Sequence, residues 1–224
     1  MAGGGRFFLG FCAFCAFSGF QGFSEEKLFD GKSLAGWVVE GGKTARDGPV
    51  WVAQDGMITC KAGGGFGFLR HEKKVADFVL RLEYRFEAAK GKRGTSGVGF
   101  RTVPFDPKRA TDTRPSSAAY EVELADDADR KPDRHSTGAL SRLMAPSEQA
   151  AKAAPAWNTL EVECEGPMIR VRVNGKKVID LDQSKVGALK GKPLAGYVSL
   201  RNHGSRVDFR DITLRPLPAK RGSP

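Results

Sequence analysis

The chain is poor in the residues that several common chemistries require: among 224 positions there are four cysteines, three histidines, three tryptophans and three tyrosines. Cys12 and Cys15 stand in an apolar run near the N-terminus, and Cys60 and Cys164 stand far apart, so no cysteine–histidine spacing of a zinc site exists. No convincing amphipathic helix is present. The only helical candidate is Pro146–Ala154, short and alanine-rich. The triplet Gly63-Gly64-Gly65 lacks the following helix N-terminus that a phosphate cradle needs, and it reads as a flexible loop before a strand. Basic residues are not interleaved with exposed aromatics, which argues against a nucleic-acid partner. No internal repeat is evident.

Long apolar runs are missing except at the start. There Arg6 precedes Phe7 to Phe17, a segment too short to span a bilayer comfortably but suited to a secretory signal over residues 1–23. A buried N-terminal helix is the competing reading. Removal of a signal implies a secreted, periplasmic or cell-envelope protein without stable membrane insertion. It leaves Cys60 and Cys164 as one disulfide or two buried thiols, which sequence does not decide. The remainder reads as a single domain over 24–217 with a disordered tail at 218–224. Lysine and arginine total 36 against 26 acidic residues, a net charge of +10. The positives are spread through turns, as at Lys73-Lys74, Lys108-Arg109 and Lys176-Lys177. That pattern reads as a solvated basic surface, suited to an anionic envelope or polysaccharide.

What the chain does have is period-two alternation. From Asp77 to Phe86, Phe78, Leu80, Leu82, Tyr84 and Phe86 share one face. Leu160, Val162 and Cys164 alternate in the same way, as do Ile169, Val171 and Val173, which Asn174-Gly175 follows as a hairpin signal. Val207 and Phe209 are out of parity with Ile212 and Leu214, which requires a β-bulge near Arg210-Asp211. About a dozen short strands with turn signals predict an all-β fold, two packed antiparallel sheets of the jelly-roll kind. Pro104–Ser117, Asp126–Ser136 and Ala145–Pro155 exceed hairpin length and are candidate binding loops.

Three strands carry polar groups opposite their core face. In Ser96-Gly97-Val98-Gly99-Phe100-Arg101, Gly97, Gly99 and Arg101 alternate with Val98 and Phe100, and the glycines leave room beside the backbone. Glu121 and Glu123 alternate with Val122 and Leu124, while Ser199, Arg201 and His203 alternate with Val198 and Leu200. Each strand alone reads equally as a solvated sheet surface, and His203 alone as a turn histidine. If the three lie side by side, they bring together the ingredients of an acid/base site. Asp126, Asp127 and Asp129 hold part of a calcium-ligand pattern but read more simply as a charged loop.

Several motifs resemble the 3-keto-disaccharide hydrolase family, and they run in order through the chain. These are Leu28-Phe29-Asp30-Gly31-Lys32-Ser33-Leu34 with Gly36-Trp37, Ser96-Gly97-Val98 with Phe100-Arg101, Tyr120-Glu121-Val122, Thr137-Gly138-Ala139-Leu140, Trp157-Asn158-Thr159, Val173-Asn174-Gly175, Gly196-Tyr197, and His203-Gly204 with Phe209-Arg210. The resemblance implies a concanavalin-like sandwich whose concave face binds sugar. It also implies cleavage of glycosides already oxidised at C3 by a separate oxidoreductase. A 3-ketone acidifies the C2 hydrogen, so a base removes it, the C1 aglycone leaves and water adds back. Either Glu121 or His203 is a candidate for the base or for the acid, and Arg101 is the candidate for the oxyanion, a role that a divalent metal would also fill. Ser96, Gly97, Gly99, Glu123, Ser199 and Arg201 are candidate substrate-binding residues. A non-catalytic carbohydrate-binding or envelope-attachment module of the same fold is the alternative.

The family commonly has Gln at the positions of Glu123 and Arg201, Tyr at Ser141, Asn at Thr95 and Asn at Asp211. Opposite charges at Glu123 and Arg201 predict a direct contact within about 4 Å if their strands are neighbours. Export predicts a mature N-terminus between Ala16 and Glu26 by mass spectrometry of the native protein. An intact Met1 or Ala2 on a cytosolic protein contradicts it.

Overall fold

The alternation from Phe78 to Phe86 builds a long strand at the middle of the larger of two sheets. The computed structural model describes residues 1, 24–42, 44–45, 48–88 and 93–218. Along the chain the strands are β1 (Glu26–Lys27), β2 (Trp37–Gly41), β3 (Thr44–Ala45), β4 (Gly48–Pro49), β5 (Trp51–Gln54), β6 (Met57–Cys60), β7 (Gly67–His71), β8 (Phe78–Phe86), β9 (Thr95–Thr102), β10 (Tyr120–Ala125), β11 (Asn158–Glu165), β12 (Met168–Val173), β13 (Lys176–Asp182), β14 (Tyr197–Asn202) and β15 (Val207–Pro216). Of the two sheets of the sandwich, one has the order β13-β12-β11-β8-β15-β6-β5, with β1 paired to β15, and the other β10-β9-β14-β7-β2, while β3 and β4 pair with each other as a separate ribbon. Pairing within both is antiparallel.

The two sheets close on one core. Leu80, Leu82 and Tyr84 of β8 and Phe209 of β15 belong to the same buried cluster as Val98 and Phe100 of β9, Val122 and Leu124 of β10, and Val198 and Leu200 of β14. The fold is thus the all-β, concanavalin-like jelly-roll sandwich. Asn174 and Gly175 turn at φ 51° and 81° between Val173 and Lys176, the positive dihedrals of a type I′ hairpin. In β15 the register shifts between Arg210 and Thr213, with Asp211 at φ 49°, and this bulge returns Ile212 and Leu214 to the core face.

Pro146–Ala154 is not helical. Its backbone is held by side chains: Asn158 Oδ1 accepts from Lys152 N at 2.7 Å, Asn158 Nδ2 donates to Lys152 O at 3.0 Å, and Asn174 Nδ2 donates to Ala150 O at 2.8 Å. Local side-chain bonds replace the helical ladder there. Helical turns occur instead at α1 (Ala110–Thr113) and α2 (Pro115–Ala118), inside the long stretch after Pro104. Gly63–Gly65 is a loop, but a tethered one, because Asn202 Nδ2 donates to the carbonyls of Gly63 and Gly65 at 2.9 and 2.5 Å. Cys60 and Cys164 are free and buried, and desolvation pushes both thiols up to about 12. Among the described residues no helix is long and apolar enough to cross a membrane. The expected signal at 1–23, Met1 aside, and the expected tail beyond 218 lie outside the described residues.

Arg101 does not share the face of Gly97 and Gly99. The β9–β14 register gains a residue on β9 between Gly99 and Thr102, and Arg101 itself takes φ 53°. Its fully buried guanidinium crosses to the other sheet's turns, donating to Gly166 O at 2.8 Å, Ala76 O at 3.1 Å and Gln183 Oε1 at 3.3 Å, with Asp77 at 3.4 Å. The group ties the two sheets together and stands apart from the polar face of β9. Arg101→Met therefore lowers unfolding free energy by about 3–5 kcal/mol, since it strands several buried acceptors. Denaturant unfolding of the variant checks this. A change below about 0.5 kcal/mol would return Arg101 to the surface class of substitutions.

Candidate active site

β10, β9 and β14 are consecutive in the smaller sheet, so the three polar faces form one surface. The middle strand carries glycine where its neighbours carry charge. Gly97 lies opposite Glu123 and Gly99 opposite Glu121 on one side, and Gly99 lies opposite Ser199 on the other. A Cβ at Gly97 would collide with Glu121 Oε1, and one at Gly99 with Ser199 Oγ. The space beside the β9 backbone is thus filled by flanking side chains, and long groups on β10 and β14 meet across it.

Arg201 is the centre of that meeting. Its Nη2 donates to Glu123 Oε2 at 2.6 Å and to the Ser96 carbonyl, and its Nη1 lies 3.4 Å from Glu123 Oε1. Nη1 also touches Glu121 Oε1. The expected contact between Glu123 and Arg201 is present, and a second carboxylate shares it. Exposure is 1 % for Glu121 and 7 % for both Glu123 and Arg201, so the cluster is buried on the sheet surface. Ser141 completes it, its hydroxyl donating to Glu123 Oε1 at 2.5 Å. Ser141 is carried by a segment that pairs along β10, through Ser141 N to Glu121 O at 2.8 Å and Glu123 N to Ala139 O at 2.9 Å.

The two carboxylates are not equivalent. Glu123 has bonded partners on both oxygens, whereas neither oxygen of Glu121 has a well-formed hydrogen bond and only Oε1 touches Arg201. Desolvation accordingly raises the Glu121 carboxyl to about 7, against the pull of Arg201 and with a smaller push from Glu123. His203, just past the end of β14, shifts the other way. Partial burial and then the Arg201 charge lower it, so its ring is neutral at pH 7. Its Nδ1 lies 3.1 Å from Thr95 Oγ1, and its ring packs edge-on to Phe66 at 6.0 Å.

These groups open on a cavity of about 240 Å³ lined by Glu121, Glu123, Ser141, Arg201, His203 and Thr95, and further by Phe66, Arg93, Arg114, Ser116, His135 and Arg142. Ser96, Gly97, Gly99 and Ser199 are outside this lining, and Arg101 is remote from it. Two of the three long loops reach the cavity, through Arg114 and Ser116 and through His135. Sequence reasoning missed these loop residues and Arg142, because none sits in an alternating run. Asp126 and Asp127 anchor loops, accepting from Ala154 N at 2.9 Å and Thr137 N at 3.0 Å. Among the described residues no three His, Cys, Asp or Glu side chains converge as metal ligands. A cavity of about 380 Å³ lies on the larger sheet, but its charges neutralise one another, with Arg81 and Arg172 both 2.7 Å from Glu161.

Comparison with known proteins agrees with this architecture. A family model described as a 3-keto-alpha-glucoside-1,2-lyase-like domain matches residues 24–215. Two solved structures of proposed glycosyl hydrolases from Parabacteroides distasonis ATCC 8503 share the fold. One has TM-score 0.70 and 21% identity, covering 87% of this chain and 94% of that chain, and the other TM-score 0.67 and 24% identity, covering 87% and 100%. The carbohydrate-binding module CBM66 from Bacillus subtilis aligns with TM-score 0.50 and 15% identity, covering 80% and 95%. No curated protein matches.

Because Arg201 serves two carboxylates, its loss is the costliest single change in the cluster. Arg201→Gln leaves Glu121 and Glu123 buried together without a cation, at about 3–5 kcal/mol of stability. Adding Glu123→Gln recovers part of that loss. A double-mutant cycle by chemical denaturation is expected to give a coupling of about 0.5–3 kcal/mol, and strict additivity contradicts the bridge.

Proposed function

The chain belongs to the 3-keto-alpha-glucoside-1,2-lyase-like domain family, and we propose that it cleaves 3-keto glycosides or disaccharides at the cavity of the smaller sheet. The observation that carries this reading is the pair of titrating groups facing one cavity with pKa values displaced in opposite directions, Glu121 upward and His203 downward. Environments that push two groups apart in this way assign the acid and the base. His203, neutral at pH 7, takes the C2 proton that the 3-ketone acidifies. The electron pair forms the C1–C2 double bond as the C1–O bond breaks, and Glu121 gives its proton to the departing aglycone oxygen. Negative charge that gathers on the C3 oxygen meets the Arg201 guanidinium, whose Nε has no hydrogen-bond partner among the described residues. Addition of water to the resulting double bond converts the elimination into net hydrolysis.

The substrate is a carbohydrate that a separate oxidoreductase has oxidised at C3. Export through the N-terminal segment places the protein with that substrate outside the cytoplasm or in the envelope. Arg201, Glu123 and Ser141 act by holding Glu121 in place. A carbohydrate-binding module would present flat aromatic platforms to sugar, and among the described residues Phe66 is the one Phe, Tyr or Trp in the lining, half-buried and packed against Phe68 and Phe105.

Release of aglycone from matched 3-keto and unoxidised glucosides tests the reading. The 3-keto substrate alone is expected to turn over. Glu121→Gln and His203→Ala are expected to lose about 10²–10⁴-fold while remaining folded by circular dichroism. Wild-type rates in both variants would remove these residues from the chemistry.

A further inference from the structure

The charge at the cavity mouth goes beyond what a neutral sugar asks for. Of the four described arginines in the lining, Arg201 is paired with Glu123 and touches Glu121, and Arg93 approaches Asp127 at 3.5 Å while donating to His135 O at 3.1 Å. Arg114 and Arg142 have no ion pair with any described residue. Both line the cavity. The Arg114 guanidinium lies 4.5 Å over the Phe66 ring with its Nε buried and unpartnered. Arg142 takes φ 63°, a conformation uncommon for a side chain of this size, and its amide donates to Arg134 O at 3.0 Å. Among the described residues the two carboxylates that line the cavity both contact Arg201, and Glu121 also feels the charges of Arg114 and Arg142, without an ion pair to either. A neutral ligand seated there would desolvate two cations without neutralising them. A carboxylate or sulfate ester would accept several charge-assisted bonds in planar, bidentate geometry.

We infer that the glycoside this cavity accepts carries an anionic substituent, a carboxylate or a sulfate ester, bound by Arg114 and Arg142 while the reacting ring faces Glu121. The inference rests on the reading of the cavity as a glycoside site, but its test needs no turnover. Isothermal titration of the whole protein with methyl glucuronoside, methyl glucoside 6-sulfate and methyl glucoside compares two anionic probes with a neutral one.

At least one anionic probe is expected to bind about tenfold or more tightly than the neutral one, the scale of one charge-assisted hydrogen bond. Which anion wins identifies the source. That preference falls toward one in Arg142→Gln and Arg114→Gln and weakens with added salt. Arg142 is exposed, so its variant keeps the test usable if Arg114→Gln does not fold. Equal affinities, no measurable binding, or a preference that survives Arg142→Gln would overturn the inference. An anion preference without cleavage of any 3-keto substrate would sink the proposed chemistry while leaving the inference standing.

Discussion

A buried guanidinium shared by two carboxylates over a glycine strand is the constraint on which this site depends. Arg201 reaches from β14 across β9 to Glu121 and Glu123 on β10, and it can do so because Gly97 and Gly99 leave the intervening strand bare. Desolvating three charges is expensive, and here the cost is offset by bonds from Arg201 and Ser141 to Glu123 and by the Ser96 carbonyl. The offset is uneven, and the deficit falls on Glu121. That residue keeps a proton to about pH 7 because burial outweighs its single contact with Arg201. The raised value has a sign in stability: protonated Glu121 favours the fold below about pH 4.5, and that contribution is lost as pH rises through about 7.

The sheets divide the labour. The larger one pairs its surface charges with one another, Arg170 with Glu163 at 2.6 Å and Arg172 with Glu161 at 2.7 Å, and so presents a neutralised face. The smaller one concentrates unmatched charge around a cavity, where a low dielectric makes each group count for more. Arg101 links the two, carrying a charge out of β9 into the carbonyls of the opposite sheet's turns. The same residue type thus serves as a clamp at one point of β9 and as the pivot of the site on the adjacent strand.

Regular alternation made most of the sandwich legible in advance. The β8 face, the Asn174-Gly175 hairpin and the bulge in β15 each follow from a period of two and a turn dihedral. Glu121, Glu123 and Arg201 were readable for the same reason, since they sit on unbroken strands. Arg101 was not, because one bulge with positive φ reverses the direction that parity assigns, and nothing in the residue names marks it. Pro146–Ala154 misled through its alanines, while the bonds that hold its irregular backbone come from Asn158 and Asn174, which sequence separation hides. Arg114, His135 and Arg142 reach the cavity from loops, where spacing carries no directional information.

The central claim is that burial keeps Glu121 a proton-carrying acid near neutrality despite the adjacent Arg201. Carbon-13 NMR of a sample labelled at the glutamate side-chain carboxyls, assigned by the disappearance of one signal in Glu121→Gln, reads that proton without any substrate. The account predicts a Glu121 titration with its midpoint at about 7. A midpoint at the ordinary carboxyl value of about 4.3, shared with the surface glutamates, would contradict it.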